Sequence, residues 1–221
     1  MLPADLPYLL ACLRRDRKQM TEGRALATDD KSLEDLVRDL PPHTHARARE
    51  YLEFLASQPP AQESGPDVAE PGPDARVSLR EITEETVREI CNLSNTLTPP
   101  RKYMVAPNAI SIAQAHFSEH AWFRAIYAGD TPVGFLMLYD DSQESEYFLW
   151  RLMIAGPHHG KGYGRRAIAL LADHVRTRPG ATVLETSCGQ GPGSPEGFYR
   201  KLGFVRNGKM IGDEVGMSLA L

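Results

Sequence analysis

Eight residues, His159-Gly160-Lys161-Gly162-Tyr163-Gly164-Arg165-Arg166, follow the apolar run Tyr147 to Ile154 and lead into a segment with helical apolar spacing. Glycine alternating with basic and aromatic residues at the head of a helix is a setting for anions. The first helical turn leaves backbone N–H groups unpaired and carries the positive end of the peptide dipole. Gly160, Gly162 and Gly164 remove side chains that would hold a phosphate away from those N–H groups, and Lys161, Arg165 and Arg166 add positive charge. The chemistry this implies is the holding of a phosphate or pyrophosphate. Two widespread phosphate motifs do not fit. The dinucleotide fingerprint needs a glycine where Arg165 stands, and the nucleotide P-loop needs Ser or Thr where Gly162 follows Lys161.

What fits is the pyrophosphate loop of the GNAT N-acetyltransferases, Gln/Arg-x-x-Gly-x-Gly/Ala, which His159 to Gly164 resembles, with His159 standing where that family has Gln or Arg. Further on, Phe198-Tyr199-Arg-Lys-Leu-Gly203-Phe204 resembles the family's Phe-Tyr-x-x-x-Gly-Phe segment. The resemblance covers about Val77 to Leu221. Within the family, Lys102 to Asn108, Ala125 to Ala128, Val133 to Asp140, Phe148 to Arg151 and Gly193 to Tyr199 look like the bacterial spermine/spermidine (diamine) acetyltransferase branch.

The resemblance implies acetyl transfer from acetyl-CoA, as co-substrate and without a metal, to a primary amine of a small polycationic acceptor, foremost a polyamine such as spermidine or spermine. An aminoglycoside-type antibiotic acetyltransferase and a non-catalytic acyl-CoA sensor are the alternatives. The strand entering the loop would splay from its neighbour and leave backbone groups of Leu152, Met153 and Ile154 for the pantetheine arm and the thioester oxygen, whose developing charge a fixed donor stabilises. His159, Gly160, Lys161, Gly162, Tyr163, Gly164 and Arg165 complete the expected cofactor contacts. Tyr199 matches the family tyrosine that serves the departing thiolate. A free alkylamine has a pKa near about 10, so a base must take its proton. Glu146, at the start of a strand, is one candidate and a water relay is the other, since Phe148 occupies the position where some relatives carry a strand glutamate. Asp140, Asp141, Glu144 and Glu146 form an acidic cluster that would draw a polycation. Arg151 has Glu185 as an expected partner. Cys188 raises the thought of an acetyl-cysteine intermediate, against the direct transfer that the family uses. His116-Phe-Ser-Glu119-His120 fits a zinc-peptidase spelling, and on a helix the two histidines would share a face, but the strand that follows leaves little helix after His120 and no third ligand suggests itself.

These residues need a scaffold. The expected fold class is α/β, the GNAT acyl-CoA N-acyltransferase fold: a mixed, splayed β-sheet flanked by helices, preceded by a small helical N-terminal segment. From Val77 the pattern reads β-α-β-β-β-α-β-α-β-β. Thr83 starts the first helix, with Thr86 at the capping-box position. A helix from about Gly162 to Arg176 carries Ala167, Ile168, Leu170, Leu171 and Val175, and a short one begins at Ser194 or Pro195. Residues 1–57 read as three helices in a helical N-terminal segment, 58–75 as a linker with five prolines and two glycines, and 76–221 as the acetyltransferase domain. Residues 1–75 carry 9 Lys/Arg against 14 Asp/Glu while 76–221 carry 16 against 15, so the acidity of the chain lies in front. A net charge of −4 argues against nucleic acid as partner, and no apolar run approaches the roughly 20 residues of a membrane span. Three cysteines without metal-type spacing fit a reducing cytoplasm. The expected partners are a small amine and a second copy of the chain in a homodimer.

Overall fold

The computed structural model describes residues 70–221. The helical segment expected over residues 1–57, and residues 58–69 of the expected linker, lie outside the described residues. Residues 70–76 run as irregular chain with one turn, closed by the Ala75 N–H donating to the Gly72 carbonyl at 3.0 Å.

Seven strands make one mixed sheet: β1 (Val77–Arg80), β2 (Ala121–Ala128), β3 (Thr131–Asp141), β4 (Glu146–Ile154), β5 (Val183–Cys188), β6 (Val205–Ile211) and β7 (Glu214–Ala220), in the order β1-β2-β3-β4-β5-β7-β6. All neighbours are antiparallel except β4 and β5. One face is covered by helices α3 (Tyr163–Arg176) and α4 (Glu196–Lys201), the other by α1 (Val87–Asn92) and α2 (Asn108–Ala115). On α3 the residues Ala167, Ile168, Leu171 and Val175 fall on one stripe and are all buried. Each large side chain among them stabilises the layer by about 1.5–3 kcal/mol.

Two features of β4 position the site. Its register with β3 steps from Met137↔Arg151 to Leu138↔Leu149, leaving Trp150 as an extra residue. This bulge switches which residues face α3: Tyr147 and Leu149 before it, Leu152 and Ile154 after it, while Phe148 and Trp150 lie in the opposite core. Pairing with β5 is confined to Phe148↔Glu185 and Leu149↔Thr186. From the bulge onward β4 therefore parts from β5, as the sequence predicts for the approach to the glycine loop.

The structure also departs from the sequence reading. Helix α2 is unanticipated; it is short, carries the β-branched Ile110 and Ile112, and is fixed by Asn108, whose Nδ2 donates to the Ile90 carbonyl at 2.7 Å. Its end is capped by His116, and Phe117 to Glu119 turn towards β2, so His116 and His120 do not share a helical face. Thr83 to Thr86 form a turn before α1, in which the Thr86 hydroxyl accepts the Thr83 N–H at 2.9 Å; a neutral side chain does the acid's part of the capping box. The closing hairpin, which the sequence suggests at Phe204-Val205 and Val215 to Leu219, is longer because β6 extends to Ile211 through Gly208 (φ +79°).

Candidate active site

The loop from Gly156 to Gly162 joins β4 to α3. Gly160 and Gly162 have φ of +78° and +77°, and a Cβ on either would meet nothing within 4 Å. The turn itself, not crowding, requires glycine there, and the space in front of both is open. Gly164 differs from its expected role: a Cβ on it would sit 3.3 Å from the Phe198 ring and 3.5 Å from Ile154. Its bareness serves the packing of α3 against α4 and so couples the two motifs singled out in the sequence.

His159 ties the loop down. Its Nε2 lies 2.7 Å from the Ile154 carbonyl and its Nδ1 lies 3.1 Å from Arg101 Nη1. A guanidinium only donates, so Nδ1 accepts, Nε2–H donates to Ile154, and the ring in this arrangement is neutral. The hydrogen bond occupies the Ile154 carbonyl on the β5 side of the strand, while Leu152, two residues earlier and on the same side by alternation, has no strand beside it. Burial, with Lys161 adding to it, pushes the His158 imidazole below its ordinary pKa.

A cavity of about 660 Å³ opens where β4 leaves β5. Leu149 to Ile154 line one wall and Thr186 to Gly189 the other. His158 to Gly160, Gly162 to Arg165 and, on α4, Phe198, Tyr199, Lys201 and Leu202 close the α3 side. Leu97, Arg101 and Tyr103 to Ala106 cover the mouth from the α1–α2 connection, and Glu214 enters from β7. The structure thus brings Leu152, Met153, Ile154, His159, Gly160, Gly162, Tyr163, Gly164, Arg165 and Tyr199 together around one space.

Two expected residues do not line it. Lys161 turns to Glu70, with Nζ 3.2 Å from the carboxylate. Glu146 stands at the other end of β4, where burial, then the charges of Asp141 and Glu185, raise its pKa. The acidic cluster around it is occupied with holding the fold. Asp140 accepts from Arg178 Nε at 3.0 Å, and Asp141 Oδ1 accepts the N–H groups of Gln143 and Glu144 at 2.9 and 3.1 Å. Arg151 is not paired with Glu185: its Nη1 donates to the Trp150 carbonyl and its Nη2 to Gln114, while Glu185 takes Lys209 at 2.9 Å. The Tyr163 hydroxyl shares its one proton between the carbonyls of Pro71 and Gly72, at 2.6 and 2.9 Å, outside the cavity lining.

Tyr199 is 5% exposed and packed between Phe198 and Phe204, whose rings are tilted 60° and 59° to its own with centroids 5.3 Å away. Burial raises its pKa far above the phenol range, so the hydroxyl stays protonated and can donate. Cys188 lies near it, and burial raises the thiol too, which argues against a thiolate nucleophile. Arg101, the 103–106 cover, Thr186, Ser187 and Glu214 were missed in the sequence. They come from three separate segments, and no local spacing links them.

The sequence matches the model of the acetyltransferase (GNAT) family over residues 86–204. None of the curated proteins matches it. Among solved structures, the ribosomal-protein-S18-alanine N-acetyltransferase of Escherichia coli superposes with a TM-score of 0.52 at 14% identity, covering 66% of this chain and 94% of that one. The PaiA N-acetyltransferase of Thermoplasma acidophilum, in complex with coenzyme A, gives 0.50 at 16% identity over 66% and 99%. A dodecameric spermidine N-acetyltransferase of Vibrio cholerae gives 0.50 at 17% identity over 65% and 93%. At these identities the likeness is one of fold. Among the described residues no helix is long and apolar enough to cross a membrane, and no group of three or more His, Cys, Asp or Glu could hold a metal ion.

Proposed function

This chain belongs to the GNAT acetyltransferase family and is an acetyl-CoA-dependent acetyltransferase; from that premise we propose that it acetylates the primary amine of a small polycationic acceptor, a polyamine such as spermidine or spermine foremost, by direct attack in a ternary complex. The observation that carries the reading is the cavity at the parting of β4 and β5, which the open glycine turn and Tyr199 both line.

In this reading the N–H groups between His159 and Gly164, with Arg165 and the unanticipated Arg101 beside them, hold the diphosphate of coenzyme A. The open turn at Gly160 and Gly162 fits such a group, since no side chain fills the space before it. The β5-facing backbone of Leu152 and Ile154, with Met153 between them, runs alongside the pantetheine arm, and a backbone donor there meets the thioester oxygen as it gains charge. Tyr199, held protonated by its burial, gives its hydrogen bond and proton to the departing thiolate. Glu146, far along β4 and outside the cavity lining, is poorly placed to take the amine's proton directly; a water or a carboxylate of the cavity takes that part. For the acceptor, support comes from the sequence segments resembling the diamine branch and from the carboxylate that the cavity presents.

The test is a panel of initial rates with acetyl-CoA and spermidine, spermine, an aminoglycoside, glutamate and a peptide with N-terminal alanine. Transfer is expected to the polyamines with the highest kcat/KM. A higher value for any other member replaces the acceptor, and no transfer to any amine overturns the reading.

A further inference from the structure

Among the described residues that line the cavity, Glu214 is the only carboxylate. The other charged residues of the lining, Arg101, Arg151, Arg165 and Lys201, are cations. An ammonium entering this space therefore has one favourable wall. Glu214 is the first residue of β7, and its neighbour Val215 pairs with Cys188 at the end of β5. This puts the carboxylate on the side of the gap opposite β4. Ser187 Oγ donates to Glu214 Oε2 at 2.5 Å, which fixes the carboxylate's orientation from the adjacent strand. Tyr199 feels its charge, one of the lesser influences that raise the phenol.

We infer that Glu214 receives the acceptor's ammonium and takes its proton, so that the substrate class is an amine that is cationic at the reacting end. The inference rests on the acetyl-transfer reading above and deepens it. The proton balance is as follows. The R–NH3+ group gives one proton to Glu214, and the neutral nitrogen forms its bond to the thioester carbonyl carbon. The tetrahedral adduct collapses with cleavage of the C–S bond, the electron pair leaving with sulfur. Sulfur takes the Tyr199 proton, the nitrogen's second proton restores the phenol, and Glu214 releases its proton to solvent. One amide, one free coenzyme A thiol and one proton result.

The full-length protein is assayed with the best acceptor of the panel. Glu214→Gln keeps the shape and removes the charge. It is expected to lower kcat/KM by about 100-fold, within the range a positioned base supplies, while acetyl-CoA affinity by calorimetry stays within about twofold because Glu214 belongs to β7 and not to the glycine turn. Glu214→Asp should recover at least about tenfold over Gln. Retention of kcat/KM within about threefold in Glu214→Gln overturns the inference and leaves the family reaction standing. Absence of transfer by wild type to any amine overturns both. Should Glu214→Gln fail to bind acetyl-CoA, Ser187→Ala takes its place: a KM for the amine raised several-fold, with acetyl-CoA affinity kept, supports the inference, and an unchanged KM overturns it.

Discussion

A phenol buried between two aromatic rings can give a hydrogen bond more readily than it can become an anion. That asymmetry is what the Tyr199 environment enforces. Tyr199→Phe is expected to cut kcat by about 100-fold, the scale of one positioned proton donor, with acetyl-CoA affinity changed by less than about twofold. Because burial raises this pKa, the protonated and active form persists to higher pH than an ordinary tyrosine allows, so the rate should not fall through pH 10 on its account. A decline there that Tyr199→Phe abolishes would refute that placement. At the same scale, Gly162 holds φ of +77° as the residue before α3. Gly162→Ala forces an L side chain into the left-handed region at a cost of about 1–2 kcal/mol, and the loop should give way by losing acetyl-CoA affinity. Gly162 was readable from the glycine spacing, and Tyr199 through the family resemblance. The orientation of Lys161 and the interlock of His159 with Arg101 were not, because both depend on segments 58 or more residues away.

Strand β4 shows why local patterning carries part of a fold and not all of it. Its apolar run is continuous, so alternation cannot reveal that Trp150 is an extra residue or that the facing pattern changes there. The splay was legible only because the glycine motif implied it. Helix α2 escaped notice since two β-branched isoleucines in eight residues give a weak helical signal, and Asn108 fixes it by bonding across to α1. The acidic residues between β3 and β4 read as a lure for cations, yet Asp140 and Asp141 hold an arginine and a turn, uses that no charge count discloses. Contact between α3 and α4 is the property of elements that can be tested most directly. Gly164→Ala places a Cβ 3.3 Å from the Phe198 ring. It is expected to shift α4, and with it Tyr199, so that kcat falls several-fold while acetyl-CoA affinity falls less. A change confined to affinity would show that Gly164 acts on the loop alone.

For the molecule as a whole, two half-buried imidazoles contribute to its response to acid. His158 lies at the cavity and His174, stacked on Trp122 at 4.2 Å, lies beside Asp140. Burial lowers both pKa values, in His174 against the pull of Asp140. The unfolded chain, with histidines near about 6.5, then binds more protons than the folded one below that pH. Stability is complete above the ordinary histidine range and is lost as pH falls through it. Melting temperature should drop between pH 7.5 and 5, and His174→Gln should flatten part of that slope; an identical slope would assign the effect elsewhere. A separate expectation concerns where the chain enters the domain. Starting the protein at Glu70 keeps both acceptors of the Tyr163 hydroxyl, whereas starting it at Arg76 removes them. The shorter form should be about 1 kcal/mol less stable in denaturant titrations, and Tyr163→Phe should erase the difference between the two lengths.

The clasp of Pro71 and Gly72 on Tyr163 also has a mechanical meaning. A pull applied upstream of Glu70 loads those two hydrogen bonds and the Glu70–Lys161 pair before it reaches β1. Tension entering at Glu70 would thus be felt first at the glycine turn, which makes this point of entry a handle on the site.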